Sequence, residues 1–269
     1  MPEGHTLFRL ARDQTLQFAG RPVHVSSPQG RFVAGAAVLD GRVLDKVRSY
    51  GKHLFAEFGG DVLHVHLGLY GAFVGGTGAA PPARGALRMR WEADGPDGAG
   101  VWTDLRGPTA CEVLTRPEVR AILARLGPDP LRPRADGGGA FRRIAASRTP
   151  IGALLMDQSV LAGVGNVYRA ELLFRHRVSP FRPGRALDEA AWTGMWADLV
   201  PLMRGGVRLG RIVTTRPEHR SRRRGPADRE DAHYVYRRTG LPCRVCGAQV
   251  RTQELVGRNL YWCPSCQAV

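Results

Sequence analysis

At 269 residues the chain is long enough for about two domains with separate cores, and 43% hydrophobic against 23% charged residues excludes wholesale disorder. Thirty-nine basic residues against 24 acidic ones leave a formal net charge of +15, which points to a polyanionic partner. Apolar runs fall short of the roughly 20 residues of a membrane span, and Met1-Pro2-Glu3-Gly4-His5 lacks the basic and apolar regions of a signal peptide; a cytoplasmic protein without membrane contact is expected.

Residues 6–18 place Leu7, Leu10, Ala11 and Phe18 near one helical face, so an amphipathic helix opens the chain. Removal of Met1 is expected before a residue as small as Pro2, and it would expose a secondary amine able to attack an aldehyde-level carbon and form an iminium. Glu3 stands beside it for proton transfer; the same pair also suits an ordinary helix start. From residue 21 to about 115, short alternating runs separated by Gly-rich turns read as a β-sandwich. Within it Lys52, in Gly51-Lys52-His53-Leu54, lies between a turn and an apolar strand. Only Lys46 and Lys52 are lysines among the basic residues, and a lysine there suits a compact charge or a titratable amine. Leu69 and Tyr70 read locally as an apolar pair at a strand end, and Cys111 as a core thiol.

Residues 117–126 form a short helix, and the Pro and Gly breakers that follow mark the best domain boundary. Helical periodicity then covers 151–158, 167–175 and 187–209. Residues 156–168 run from one helix through Gly163 and Gly165 to Asn166 at the start of the next. That arrangement suits either a phosphate cradle or a plain capped connection. Residues 219–231 form a polar, Arg-rich exposed loop, part of a terminal segment (201–269) with fourteen arginines against five acids. Cys243 and Cys246, then Cys263 and Cys266, are two C-x2-C pairs separated by 16 residues. This is the spacing of a four-thiolate, structural zinc site. It would hold a hairpin at 250–262 carrying Arg251 and Arg258; alone, such a ribbon also fits transcription or ribosome factors.

Taken in order, the Met-Pro-Glu-Gly start, Gly51-Lys52-His53-Leu54, Leu126-Gly127-Pro128-Asp129-Pro130-Leu131, Gly163-Val164-Gly165-Asn166 and Gly257-Arg258-Asn259-Leu260-Tyr261-Trp262-Cys263-Pro264 resemble the bacterial Fpg/Nei family of bifunctional DNA glycosylases along the whole chain. The resemblance implies an α+β fold. An N-terminal helix and β-sandwich would occupy 1–127, a hinge 128–138, a helical domain with a helix-two-turns-helix motif 139–235, and a zinc finger 236–269. It implies that Pro2 attacks the sugar C1′ of a damaged nucleotide, with Glu3 moving protons and Lys52 as a phosphate contact and acid, and that β,δ-elimination follows. Asn166 and Arg258 would clamp phosphates, with Gly163 and Gly165 shaping the turn between them. Leu69 and Tyr70, in His66-Leu67-Gly68-Leu69-Tyr70-Gly71, would fill the gap left by the extruded base.

Two departures place the chain within the family. Asp104-Leu105-Arg106-Gly107-Pro108-Thr109 lacks the second Arg and the Phe of the formamidopyrimidine branch. That favours the endonuclease VIII branch and oxidised pyrimidines such as thymine glycol. His5-Thr6 replaces a common Pro-Glu, so that second carboxylate has no counterpart. The implied protein is a monomer acting on double-stranded DNA with oxidised bases or abasic sites, near the nucleoid. The alternatives are the same chemistry on 8-oxoguanine and formamidopyrimidines, or a damaged-DNA binder that does not cut.

Overall fold

The computed structural model describes residues 2–95 and 98–268 and divides into two compact units, Met1–Arg125 and Leu126–Val269. Met1, the residue whose removal the sequence leads one to expect, lies outside the described residues.

In the first unit α1 (Gly4–Phe18) buries Leu7, Ala11 and Phe18 on one face. After it come β1 (Pro22–Ser26), α2 (Val33–Leu39), β2 (Arg42–Val43), β3 (Lys46–Tyr50), β4 (His53–Phe58), β5 (Asp61–His66), β6 (Ala72–Thr77), β7 (Leu87–Asp94), β8 (Gly100–Arg106), β9 (Ala110–Thr115) and α3 (Arg116–Ala124). The strands form a five-stranded sheet, β2-β1-β7-β8-β6, and a four-stranded one, β3-β4-β5-β9, antiparallel throughout. Their inner faces share one core with α1, in which Trp91 meets Phe18 and Phe58 edge-on at 5.7 and 5.9 Å. This is the expected sandwich, and Cys111 packs against its core, where burial pushes the thiol up to about 12. Helix α2 was not legible, because a seven-residue apolar run fits a strand equally well. Its Ala36 and Leu39 are buried, and the Phe32 ring lies over Gly35 so closely that a Cβ there would be 2.2 Å from it.

The second unit contains α4 (Gly137–Ala145), α5 (Ile151–Leu154), α6 (Asn166–Arg175), α7 (Glu189–Leu209) and a hairpin of β10 (Arg251–Leu255) and β11 (Arg258–Trp262). Two expectations need correction. The helix read over 151–158 is a single turn, because side chains downstream compete with its backbone bonds. Asp157 Oδ1 accepts from Ser159 N (2.8 Å) and Gln158 Oε1 accepts from Gly163 N (3.0 Å), while Gln158 Nε2 donates to Met156 O and Val164 O. Conversely, Gly137-Gly138-Gly139, read as a breaker, opens α4. Asp136 caps it at Gly138 N (2.9 Å), and Ala140 and Ile144 are fully buried. Helix α7 keeps its expected shape, with Asp188 capping Ala191 N at 2.7 Å and Gly210 closing it at φ +69°. Among the described residues no helix is long and apolar enough to cross a membrane.

Candidate active site and nucleic-acid interface

Helix α1 runs antiparallel to β3. Gly20 N donates to Leu44 O (2.8 Å), and Val47 N donates to Thr15 Oγ1 (3.0 Å). From Thr15 back to the helix start is about 16 Å at the helical rise; β3 runs forward about 10 Å from Val47 to its end at Tyr50, where Gly51 and Lys52 turn the chain into β4. The start of α1, with Glu3 as its N-cap and Pro2 before it, therefore lies toward the end of β3 at which Lys52 sits in the turn to β4. Glu3 is completely buried and Lys52 half-buried. His5 is also buried, and that burial lowers its pKa to about 4.

The same end of the four-stranded sheet carries the 67–71 loop. His53 at the start of β4 pairs with His66 at the end of β5, and the chain turns at once into Leu67-Gly68-Leu69-Tyr70-Gly71. Two glycines make this turn possible. Gly68 has φ +66°, with the Thr109 hydroxyl 1.9 Å from where a Cβ would stand, and a Cβ on Gly71 would lie 2.3 Å from Leu67 O. Gly71 N donates to Leu67 O (2.9 Å), which closes a tight loop. Leu69 is half-buried, while Tyr70 is 91% exposed. Next to it, Arg106 is held by the buried Asp104 carboxylate (3.0 Å) and donates to Arg84 O, and Arg90 grips the same Asp104 through both oxygens at 2.7 and 3.0 Å. Arg106 is thus occupied within its own sheet.

In the second unit Gly163 takes φ +89° and its amide is committed to Gln158, so it shapes the turn rather than offering that amide to a ligand. Gly165 is the N-cap of α6, and Asn166 is buried at its first turn. Asn166 Nδ2 donates to Asn259 O (2.9 Å), Arg169 Nη2 donates to the same carbonyl (3.2 Å) and to Asn166 Oδ1, and Arg169 Nη1 donates to Gly152 O (3.3 Å). The helix start is thereby joined to β11 one residue from the exposed Arg258. At the hairpin tip Val256 and Gly257 both have positive φ (52° and 64°), the geometry of a tight two-residue turn, with Val256 71% exposed.

Sequence reading missed the residues that hold this interface. Arg169 was lost among the many arginines. Glu171, fully buried, accepts from the amides of Tyr234 (2.7 Å), Val235 (2.8 Å) and Tyr236 (2.8 Å) and from Thr214 Oγ1 (2.5 Å), anchoring the approach to the finger. Asp231 closes the base of the Arg-rich loop by accepting from Ser221 N (2.9 Å) and pairing with Arg244 (2.8 Å). A mid-helix Glu and a loop Asp give no local sign of such partners.

The four cysteine sulfurs lie within 4.8 Å of one another. Cys243 and Cys266 are 3.9 Å apart and Cys246 and Cys263 3.4 Å, close to the roughly 3.8 Å edge of a tetrahedron with 2.3 Å Zn–S bonds. Val245 N and Cys266 N point at the sulfurs of Cys243 and Cys263, and Cys243 and Cys263 sit in a core with Ala170 and Phe174 of α6. The donor set fits zinc and leaves no ligand position open.

Three family models match in succession: the formamidopyrimidine-DNA glycosylase N-terminal domain over residues 1–111, its H2TH domain over 126–218, and the zinc finger found in FPG and IleRS over 240–269. The finger match and the sulfur cluster together assign one structural zinc. Endonuclease 8 1 of Mycobacterium tuberculosis is 55% identical across 99% of this chain and 100% of its own length. Formamidopyrimidine-DNA glycosylase of Thermus thermophilus is 35% identical (99% and 97%), as is the DNA-(apurinic or apyrimidinic site) lyase Nei2 of Mycolicibacterium smegmatis (99% and 99%). Lactococcus lactis Fpg, solved with DNA containing an abasic site, superposes at a TM-score of 0.81 and 20% identity over 99% of this chain and 100% of that one, a likeness of fold. With the models in register and relatives matched along nearly their whole length, this chain belongs to the Fpg/Nei family of DNA glycosylases.

Proposed function

We propose that this bifunctional DNA glycosylase/AP lyase of base excision repair excises oxidised bases, mainly pyrimidines such as thymine glycol, through a Schiff base on Pro2. The observation that carries the reading is the antiparallel course of α1 along β3, which runs the helix start toward the end of β3 whose turn bears Lys52. The Pro2 nitrogen bonds to C1′ as the glycosidic bond breaks and the base leaves with that bond's electron pair. Opening of the sugar, with a proton delivered to its ring oxygen, gives the iminium, and Glu3 is the group placed to move protons between these atoms. The iminium acidifies the C2′ hydrogens; loss of one expels the 3′-phosphate, and δ-elimination expels the 5′-phosphate. Lys52 holds a phosphate and supplies a proton. Asn166 and Arg258 clamp the backbone, the turn at Gly163 and Gly165 sets their spacing, and Leu69 and Tyr70 enter the stack where the base has left.

The preference for pyrimidines rests on the 104–109 stretch, which lacks the second Arg and the Phe of the formamidopyrimidine branch; its remaining Arg106 is held by Asp104 and Arg84 O. We infer further that the enzyme acts on duplex DNA as a monomer in the cytoplasm. Single-turnover excision from matched duplexes tests the specificity: thymine glycol should be released at least tenfold faster than 8-oxoguanine opposite cytosine. Equal or reversed rates would assign the chain to purine lesions.

A further inference from the structure

Among the described residues three that are not glycine have positive φ, Arg177 (53°), Arg237 (56°) and Val256 (52°), and of these Val256 alone is β-branched. In the left-handed region Cβ crowds the following carbonyl, and a branched side chain makes the crowding worse, so valine is disfavoured there. The strand register fixes its place. Leu255 pairs with Arg258, so Val256 and Gly257 are the two central residues of the turn from β10 to β11. A turn with positive φ at both positions favours Asn-Gly or Asp-Gly. Gly257 meets that demand, with nothing within 4 Å of its Cβ position; Val256 goes against it.

Val256 is 71% exposed, so its methyl groups bury little surface within the protein to offset the disfavoured backbone. The hairpin below it is firmly held. Leu255 Cδ2 lies 3.2 Å from where a Gly152 Cβ would stand on α5, and Asn259 O accepts from Asn166 Nδ2 and Arg169 Nη2. Leu260 is fully buried, and Trp262 meets the Phe181 ring edge-on at 5.1 Å. Arg258, two residues beyond Val256, is exposed and donates from Nη1 to Gly257 O at 3.1 Å, which keeps its guanidinium beside the tip. The tip thus presents an apolar branched side chain next to a cation. A DNA backbone offers the matching neighbours, a phosphate and the C–H face of the sugar attached to it.

We propose that Val256 is a DNA-contact residue whose methyl groups pack on the deoxyribose face beside the phosphate met by Arg258. The fold bears a disfavoured turn residue, held in place by the packed hairpin, and the contact with DNA is what that residue supplies. The contact is apolar and releases no counterion, so it adds affinity without adding salt dependence. The inference rests on the reading that the finger meets DNA, and the experiment separates the two.

Val256→Asn creates the favoured Asn-Gly turn and removes the methyl groups, whereas Val256→Ile keeps both the branching and the apolar surface. In the full-length, zinc-loaded protein, Val256→Asn should raise Tm by about 2–4 °C as the backbone outlier is relieved. Its affinity for an abasic-site duplex, measured by fluorescence anisotropy, should fall about fivefold at every salt concentration, with the slope of log K against log salt unchanged. Val256→Ile should match wild type in both measurements, and Arg258→Ala should lower affinity and slope together. Wild-type affinity in Val256→Asn while Arg258→Ala is impaired would overturn the contact, as would a lowered slope in Val256→Asn or an equal loss of affinity in Val256→Ile. An unchanged or lower Tm in Val256→Asn would overturn the account of the turn. Wild-type binding in both Val256→Asn and Arg258→Ala would instead overturn the reading that the finger meets DNA, and the contact with it.

Discussion

Asn259 holds the proposed phosphate clamp together through its carbonyl, which accepts from both Asn166 and Arg169. Arg258, one residue away, is exposed and reaches back to Gly257 O at 3.1 Å, so its guanidinium faces solvent where an anion can meet it. Arg258→Ala should weaken binding to an abasic-site duplex and lower the slope of log K against log salt by about one, the counterion one phosphate contact releases. Salt titration by fluorescence anisotropy measures this, and an unchanged slope would remove Arg258 from the phosphate contacts. At this scale the sequence was informative where chemistry forces a residue type at a spacing, as in the four cysteines. It was silent on Glu171 and Asp231, whose roles depend on partners at least ten residues away in sequence.

Among the elements, legibility followed the competition between local preference and packing. The strands of the sandwich and α1 were readable because one face of each is buried in a regular period. Helix α4 was hidden by its three glycines, the first of which answers to α7. Trp192 Nε1 donates to Gly137 O (2.7 Å), and the Trp196 ring lies 2.6 Å from where a Gly137 Cβ would stand. Gly137→Ala should therefore destabilise the protein by about 1–3 kcal/mol through overpacking. Gly205, inside α7, has nothing within 4 Å of its Cβ position, so Gly205→Ala should stabilise by about 1 kcal/mol. Urea unfolding of the zinc-loaded protein measures both; effects of the same sign would show that helix propensity, not the Trp196 contact, decides.

For the whole molecule, two compact units and a charge of +15 agree with a DNA enzyme, and stability should depend on pH in a definite direction. Burial holds His5 at a pKa of about 4 and His53 at about 3, both below the ordinary 6.5. Below pH 6.5 the unfolded chain takes up protons that these folded rings refuse, so stability falls as pH drops from about 6.5 toward 4. Carboxylates with lowered pKa, such as Asp40 and Asp231, contribute stability that is lost only below about pH 4. Calorimetry should show Tm falling between pH 6.5 and 5, with a shallower fall in His5→Gln; equal slopes would remove His5 from the account.

The central claim is that the Pro2 amine, at the start of α1, forms the covalent intermediate. Borohydride trapping tests it most directly, on duplexes carrying thymine glycol, 8-oxoguanine or an abasic site, with wild type and Pro2→Gly. The account predicts a wild-type adduct strongest among the lesion bases on thymine glycol, and its near loss in Pro2→Gly with DNA binding retained. An adduct of undiminished yield in Pro2→Gly, or none from wild type even at the abasic site, would contradict it.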